Sequence, residues 1–186
     1  MKAVFLRSCI LLLAASLTAC STTGGPRAAG GAEVTTSHLG QPIARGQISV
    51  EAFDPADANL PEFRNYAASV AQQLTRLGWT VVNTTGRSEQ VALIDVQQGS
   101  RAGLAGHVNV GGGAAAGGGA SAGSVATLLE VRMRRRSDGT VMWEGRAISE
   151  AQANSAGAQR TAAVDTLAAA LFRDFPGVSG RTIRAR

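Results

Sequence analysis

The chain has 186 residues, enough for one domain with one core. It is 45% hydrophobic and 17% charged, with 23 glycines and few aromatic residues, the composition of a folded chain with unusually small side chains. Two cysteines, two histidines and a single lysine leave little material for metal or nucleophile chemistry, and the net charge of +5 is a modest excess rather than a strongly basic field.

The N-terminus carries Lys2 and Arg7, then the apolar stretch 10–17, then Leu17-Thr18-Ala19-Cys20. A positive start, an apolar run too short to cross a bilayer and a small-residue site predict a cleaved signal over 1–19. The Leu-Thr-Ala-Cys ending resembles a bacterial lipobox, with cleavage between Ala19 and Cys20 and lipid on the Cys20 thiol. Removal of 19 residues, Lys2 and Arg7 among them, takes the chain from 186 to 167 residues and the charge from +5 to +3. Cys9 leaves with the signal and Cys20 is consumed by lipid, so the mature chain keeps no thiol. Several acyl chains anchor stably where one holds only marginally. Ser21 after the cysteine points to the outer membrane, facing the periplasm.

Residues 20–32 are small and polar without periodicity and read as the lipidated cysteine and a flexible tether. A single domain is expected over 33–186. Alternation predicts a strand over Gln47 to Phe53, and a further short one around Val34 to His38. Asn59 with Glu62 suggests a capping box for a helix burying Phe63, Ala67, Val70, Leu74 and Leu77, stopped by Gly78. Strands follow at Trp79 to Asn83 and Val91 to Val96, the second apolar on both faces and so central. A glycine-rich excursion over 102–124 then joins two strands. The last helix runs from about Ala156 to Phe175, burying Val164, Leu167, Leu171, Phe172 and Phe175, with a closing strand at Arg181 to Arg184.

Between them lies a hairpin with arms Val125 to Arg136 and Thr140 to Ser149. A three-residue Ser137-Asp138-Gly139 loop sets Met133 opposite Trp143, Val131 opposite Gly145 and Leu129 opposite Ala147. It also sets Arg132 opposite Glu144 and Glu130 opposite Arg146. A two-residue loop mixes apolar and charged residues on one face, so the longer loop is favoured. Together the elements predict a two-layer α/β (α+β) sandwich: about five mainly antiparallel strands, two helices on one face, and a long Gly-rich loop between two strands.

The lipobox, the stretch His38-Leu39-Gly40-Gln41-Pro42-Ile43-Ala44, the helix start Phe63-Arg64-Asn65-Tyr66-Ala67, the strand Val141-Met142-Trp143-Glu144-Gly145-Arg146 and the ending Leu171-Phe172-Arg173-Asp174-Phe175-Pro176-Gly177 resemble the domain of unknown function 4136 lipoproteins. That resemblance implies an envelope lipoprotein with a small α/β domain and no assigned activity, so it brings no catalytic residues.

The candidate chemistry is sparse. The glycine tract lacks the lysine and the following helix of a phosphate loop, and a strand comes after it. Arg132, Arg134 and Arg136, with Arg146, form the candidate interaction face. Anionic headgroups or acidic polymers would suit it, while a solvated face with two cross-strand ion pairs is the stronger reading. Nucleic acid is excluded as a partner for want of interleaved aromatics. His38 and His107 have no neighbours at ligand spacing, and no paired carboxylates stand out, so no metal, cofactor or catalytic set is expected. The expected function is a non-enzymatic, lipid-anchored envelope module binding an envelope protein or glycan. The alternative is a carrier or sensor of a small apolar ligand held between helices and sheet.

Overall fold

The computed structural model describes residues 31–84, 86–105 and 123–185. The expected signal over 1–19, Cys20, most of the expected tether, His107 and most of the glycine tract lie outside them. One sheet holds seven strands: β1 (Ala32–His38), β2 (Gln47–Ala52), β3 (Thr80–Val81), β4 (Gln90–Gly99), β5 (Ser124–Arg135), β6 (Val141–Gln152) and β7 (Thr182–Ala185). Their order across the sheet is β3-β2-β4-β5-β6-β1-β7, with β2 parallel to β3 and β4 and the other neighbours antiparallel. The strand count therefore corrects the expected five to seven. The short strand expected around Val34 to His38 and the closing strand expected at Arg181 to Arg184 both join the sheet, as β1 and β7, and bury Ala32 opposite Ala185. Ala32, expected at the end of the tether, already belongs to the sheet.

Helices α1 (Phe63–Arg76) and α3 (Arg160–Phe172) cover one face, and each has the apolar stripe its sequence shows. Tyr66, Val70 and Leu74 of α1 and Val164, Leu167, Leu171 and Phe172 of α3 are buried against Ile48, Ile94, Leu129, Val131 and Met133. Fully burying one such side chain contributes about 1.5–3 kcal/mol. Helix α1 starts at Phe63 with no side-chain cap, and Asn59 closes a 3-10 turn (Asp57–Asn59) instead, so the expected capping box does not form. Its C-terminus does end as expected: Gly78 has φ +95° and Trp79 N–H donates to Leu74 O at 3.0 Å. The expected start of the last helix, Ala156, opens a 3-10 turn (Ala156–Ala158) ahead of α3, and Phe175 lies beyond its last turn.

Hairpin β5–β6 adopts the expected register: Met133 faces Trp143, Val131 faces Gly145, Leu129 faces Ala147, Arg132 faces Glu144 and Glu130 faces Arg146. The turn itself differs. A register shift beyond Met133 pairs Arg134 with Val141, and Arg135 N–H donates to Thr140 O at 3.0 Å, leaving four residues in the loop rather than three. Gly139 takes the left-handed conformation expected of it, φ +72°.

Two glycines explain why the Trp-Glu-Gly-Arg and Phe-Pro-Gly strings hold together. A Cβ on Gly145 would sit 2.2 Å from Cη2 of Trp143, so the indole lies where any side chain at 145 would be. The ring is fully buried, 5.4 Å from Phe172 and 5.2 Å from Phe175, and its Nε1–H donates to Pro176 O at 2.9 Å. Gly177, at φ +80°, would place a Cβ 2.5 Å from Thr36 Oγ1.

A third helix, α2 (Arg101–Ala105), opens the glycine-rich excursion and lies on the other sheet face. Leu104 packs with Ala126, Leu128 and Ile148, which alternation turns away from the main core. The sheet end that receives the chain at Ala32 also holds Gly99, Ser124, Gln152 and Ala185, whereas the β5–β6 turn lies at the opposite end.

Candidate functional site

The helix-free face of the sheet is built by period-2 alternation: residues paired with core positions in sequence point the other way. Among the described residues α2 packs on it at the end where the chain enters, and the loop before β4 reaches Glu51 and Ser49 through Gly86 and Ser88 toward the other end. Beside α2, Arg101 pairs with Glu33, which also holds Arg184 at 3.0 Å. The rest of the face carries no helix among the described residues and bears the four candidate arginines.

Arg132 and Arg146 close a four-membered ring of ion pairs with the two glutamates beside them. Arg132 lies 2.8 Å from Glu130 and 3.2 Å from Glu144, and Arg146 lies 3.1 Å from Glu130 and 2.8 Å from Glu144. The cross-strand pairs expected from the register are both present, joined by one contact along β5 and one along β6. Each guanidinium keeps about a quarter of its side chain exposed (26% and 22%), so each contact contributes about 0.2–1 kcal/mol.

Arg136 follows the same alternation but turns toward β2. It pairs with Glu51 and donates to Ser49 Oγ at 2.9 Å. Burial pushes the Glu51 carboxyl up, but hydrogen bonds from Ser49 Oγ–H and Gly86 N–H and the charge of Arg136 outweigh it and hold the group below its ordinary value. Ser88 and Ser49, both buried, lie 2.9 Å apart beneath this cluster.

Arg134 is different. It sits between Arg132 and Arg136 on β5 and has no carboxylate within ion-pair distance among the described residues. Its Nε is buried without a hydrogen-bond partner. As a set, the four candidate arginines therefore do share one face, yet three of them are neutralised within it.

Sequence reasoning missed two residues here. Phe53, half exposed at 49%, lies under Arg132 with the guanidinium carbon 4.8 Å from the ring centroid. Its place after Ser49 and Glu51 on the polar side of the β2 alternation was the available signal. Asp95 faces Glu130 across β4 and β5 and accepts from Gln97 Nε2–H at 2.7 Å, with no arginine partner among the described residues.

Elsewhere the polar groups serve the fold. His38 accepts from Gly40 N–H at Nδ1 (3.1 Å), so Nε2 carries the proton toward Gly177 O at 3.3 Å. Trp79 donates to Gln90, which in turn donates to Ala44 O, both at 2.9 Å. No group of three or more metal-ligating side chains occurs among the described residues. A shallow polar groove between α1 and α3 is lined by Asn65, Ser69, Gln72, Gln73, Thr161 and Asp165, and Ser69 donates to Asp165 across it. Gly119-Ala120-Ser121-Ala122-Gly123 matches the Gly-x-Ser-x-Gly string of hydrolase elbows. It lies mostly outside the described residues, and β5 follows it where that motif needs a helix.

No family model matches the chain. An uncharacterized protein of Zymomonas mobilis is 28% identical to it, over 83% of this chain and 80% of that protein. The PelC dodecamer from Paraburkholderia phytofirmans superposes with a TM-score of 0.45 at 13% identity, covering 74% of this chain and 92% of its own. A PDZ domain protein from Parabacteroides distasonis superposes with a TM-score of 0.49 at 11% identity, covering 84% of this chain and 39% of its own.

Proposed function

We propose that the chain is a lipid-anchored bacterial envelope protein, similar in kind to the domain of unknown function 4136 lipoproteins, whose domain works by binding rather than catalysis. The anchor is Cys20, read from Leu17-Thr18-Ala19-Cys20. The observation that carries the binding part is the half of the outer sheet face on which no helix packs among the described residues. Three of its arginines are paired internally, yet it keeps an exposed Phe53 and an Arg134 with no carboxylate within ion-pair distance among the described residues. An exposed aromatic beside an unpaired guanidinium suits a partner that covers the ring and supplies an acid. The paired arginines present little net positive field, which favours a protein partner of mixed charge over a long acidic polymer.

Two experiments test the two halves separately. Cys20→Ala should abolish acyl labelling and release the chain from the membrane fraction; labelling that persists overturns the anchor. A photo-crosslinking residue at Phe53 should capture a defined partner in intact cells, above the level seen from the same residue at exposed Arg64. Equal yields at the two sites overturn the binding face.

A further inference from the structure

We infer that the groove between α1 and α3 is a second binding site, on the side of the molecule away from Phe53, and that it takes a neutral oligosaccharide.

The groove follows from what the two helices turn outward. Between Arg64 and Arg76 helix α1 carries no charged residue, and α3 carries only Arg160 and Asp165. Asn65, Ser69 and Gln72 recur along α1 at i, i+4 and i+7, so they share one side of the helix at about one per turn, or about 5.4 Å. Thr161 and Asp165, also four apart, come from α3. Ala68 lies in the same lining, and its small side chain leaves the space free. The volume, about 620 Å³, falls within the range of small-molecule sites, about 300–1,000 Å³.

Most of the hydrogen-bonding capacity of this lining is unspent. Ser69 and Asp165 hold each other across the groove, which keeps the carboxylate in place. The amides of Asn65, Gln72 and Gln73 and the Thr161 hydroxyl make no hydrogen bond to the protein among the described residues. On β4, by contrast, Gln90, Gln97 and Gln98 all donate to groups of the fold.

These groups select by chemistry. An apolar ligand would strip water from three amides and a carboxylate and gain contact with Ala68 alone. An anion would meet Asp165, the only charged group of the lining. A cation would find that one carboxylate already engaged by Ser69. A neutral polyol fits, because each amide offers a donor and an acceptor side by side, as adjacent hydroxyls do, and Asp165 accepts from a hydroxyl. Spacing then separates sugar from peptide. An extended peptide turns the same side to a surface only every second residue, about 6.7 Å, and needs pockets for its side chains. Rings of an extended glycan follow one another at close to one helical turn, so successive rings meet Asn65, Ser69 and Gln72 in order. No aromatic ring lines the groove, so affinity is low, with a dissociation constant on the order of a millimolar.

The test is saturation-transfer NMR on the full chain in a detergent without a sugar headgroup. Cellotriose and triacetylchitotriose are the neutral probes, trigalacturonic acid the acidic one and trialanine the peptide. At least one neutral trisaccharide should saturate at millimolar concentration, and the acidic one should bind at least tenfold more weakly. Asn65→Ala with Gln72→Ala, both at exposed positions, should weaken the neutral sugar at least tenfold, while Arg87→Ala on the loop before β4 should leave it unchanged. Circular dichroism of each variant checks the fold. Absence of saturation by both neutral trisaccharides, equal or tighter binding of the acid, or binding that survives the double variant overturns the inference. Trialanine that binds through Asn65 and Gln72 where neither sugar does overturns it in favour of a peptide. The reading of the sheet face does not rest on this groove, and crosslinking at Phe53 measures it separately.

Discussion

At the residue scale the chain's small side chains are placed where larger ones cannot go. Gly145 has Trp143 Cη2 at 2.2 Å and Leu171 Cδ1 at 2.8 Å from where a Cβ would be, and both neighbours are fully packed. Gly145→Ala should therefore destabilise the domain by about 1–3 kcal/mol, the cost of overpacking a core that cannot retreat. Urea unfolding followed by tryptophan fluorescence measures it. Glu51 offers a second residue-scale expectation. Its carboxyl is held below the ordinary value of 4.5 in the folded chain, so its stabilising contribution is present above that value and is lost as the pH falls through the lower, folded value. Glu51→Gln should cost about 1–2 kcal/mol at neutral pH, since Arg136 loses its partner, and should flatten the fall in stability between neutral and acid. Denaturant midpoints across that range check both. An acid dependence identical to wild type would assign the loss to other carboxylates.

At the scale of elements, the β5–β6 hairpin was legible because both faces of a strand constrain its register at once. Met133 and Trp143 needed the core, and Arg132 and Glu144 needed each other, and one pairing satisfied both. The turn was less legible. A one-residue shift between Met133 and Arg134 changes the loop length while leaving every pair beyond it intact, and sequence alternation does not register a local bulge. Gly139 has a positive φ and open space around it. Gly139→Ala should thus cost about 1 kcal/mol through backbone strain alone, and Gly139→Asn less, because asparagine tolerates that region. The ring of Arg132, Glu144, Arg146 and Glu130 makes a further prediction about coupling. A double-mutant cycle on Arg132 and Glu144 should give about 0.2–1 kcal/mol, and the value should fall when Arg146 is replaced, since each glutamate is shared. Helix α1 shows the converse case. Asn59 and Glu62 have the residue types of a capping box, but a 3-10 turn intervenes and the helix begins at Phe63.

At the scale of the whole molecule, the topology gathers the entering chain at Ala32, the start of α2 and the last strand at one end of the sheet. On the proposed reading this is the end nearest the anchor, while the β5–β6 turn points away from it. Helices α1 and α3 occupy one face and only the short α2 lies on the other among the described residues, so a lipid-anchored chain would display much of that second face. The space between helices and sheet is filled by Trp79, Trp143, Tyr66 and the aliphatic core, which gives the alternative of an apolar-ligand carrier no supporting observation. Anchoring is itself a whole-molecule property, and the acyl labelling of Cys20→Ala measures it apart from folding.

What the residues determined by themselves was local or periodic. The helix stripes, the stop at Gly78 and the hairpin register rest on spacing of 3.6 or 2 residues, or on one residue's conformational freedom. Tertiary structure decided what depends on partners distant in sequence. Strands β1 and β7, about 150 residues apart in the chain, exist as a pair only because each covers the other. Arg134 and its two neighbours have the same sequence character, and only the sheet, by bringing Glu51 from β2 and Glu144 from β6, neutralises Arg136 and Arg132 while leaving Arg134 without a carboxylate among the described residues. Alternation can say which face a charge occupies. Which charges remain unpaired on it is set by the order of the strands.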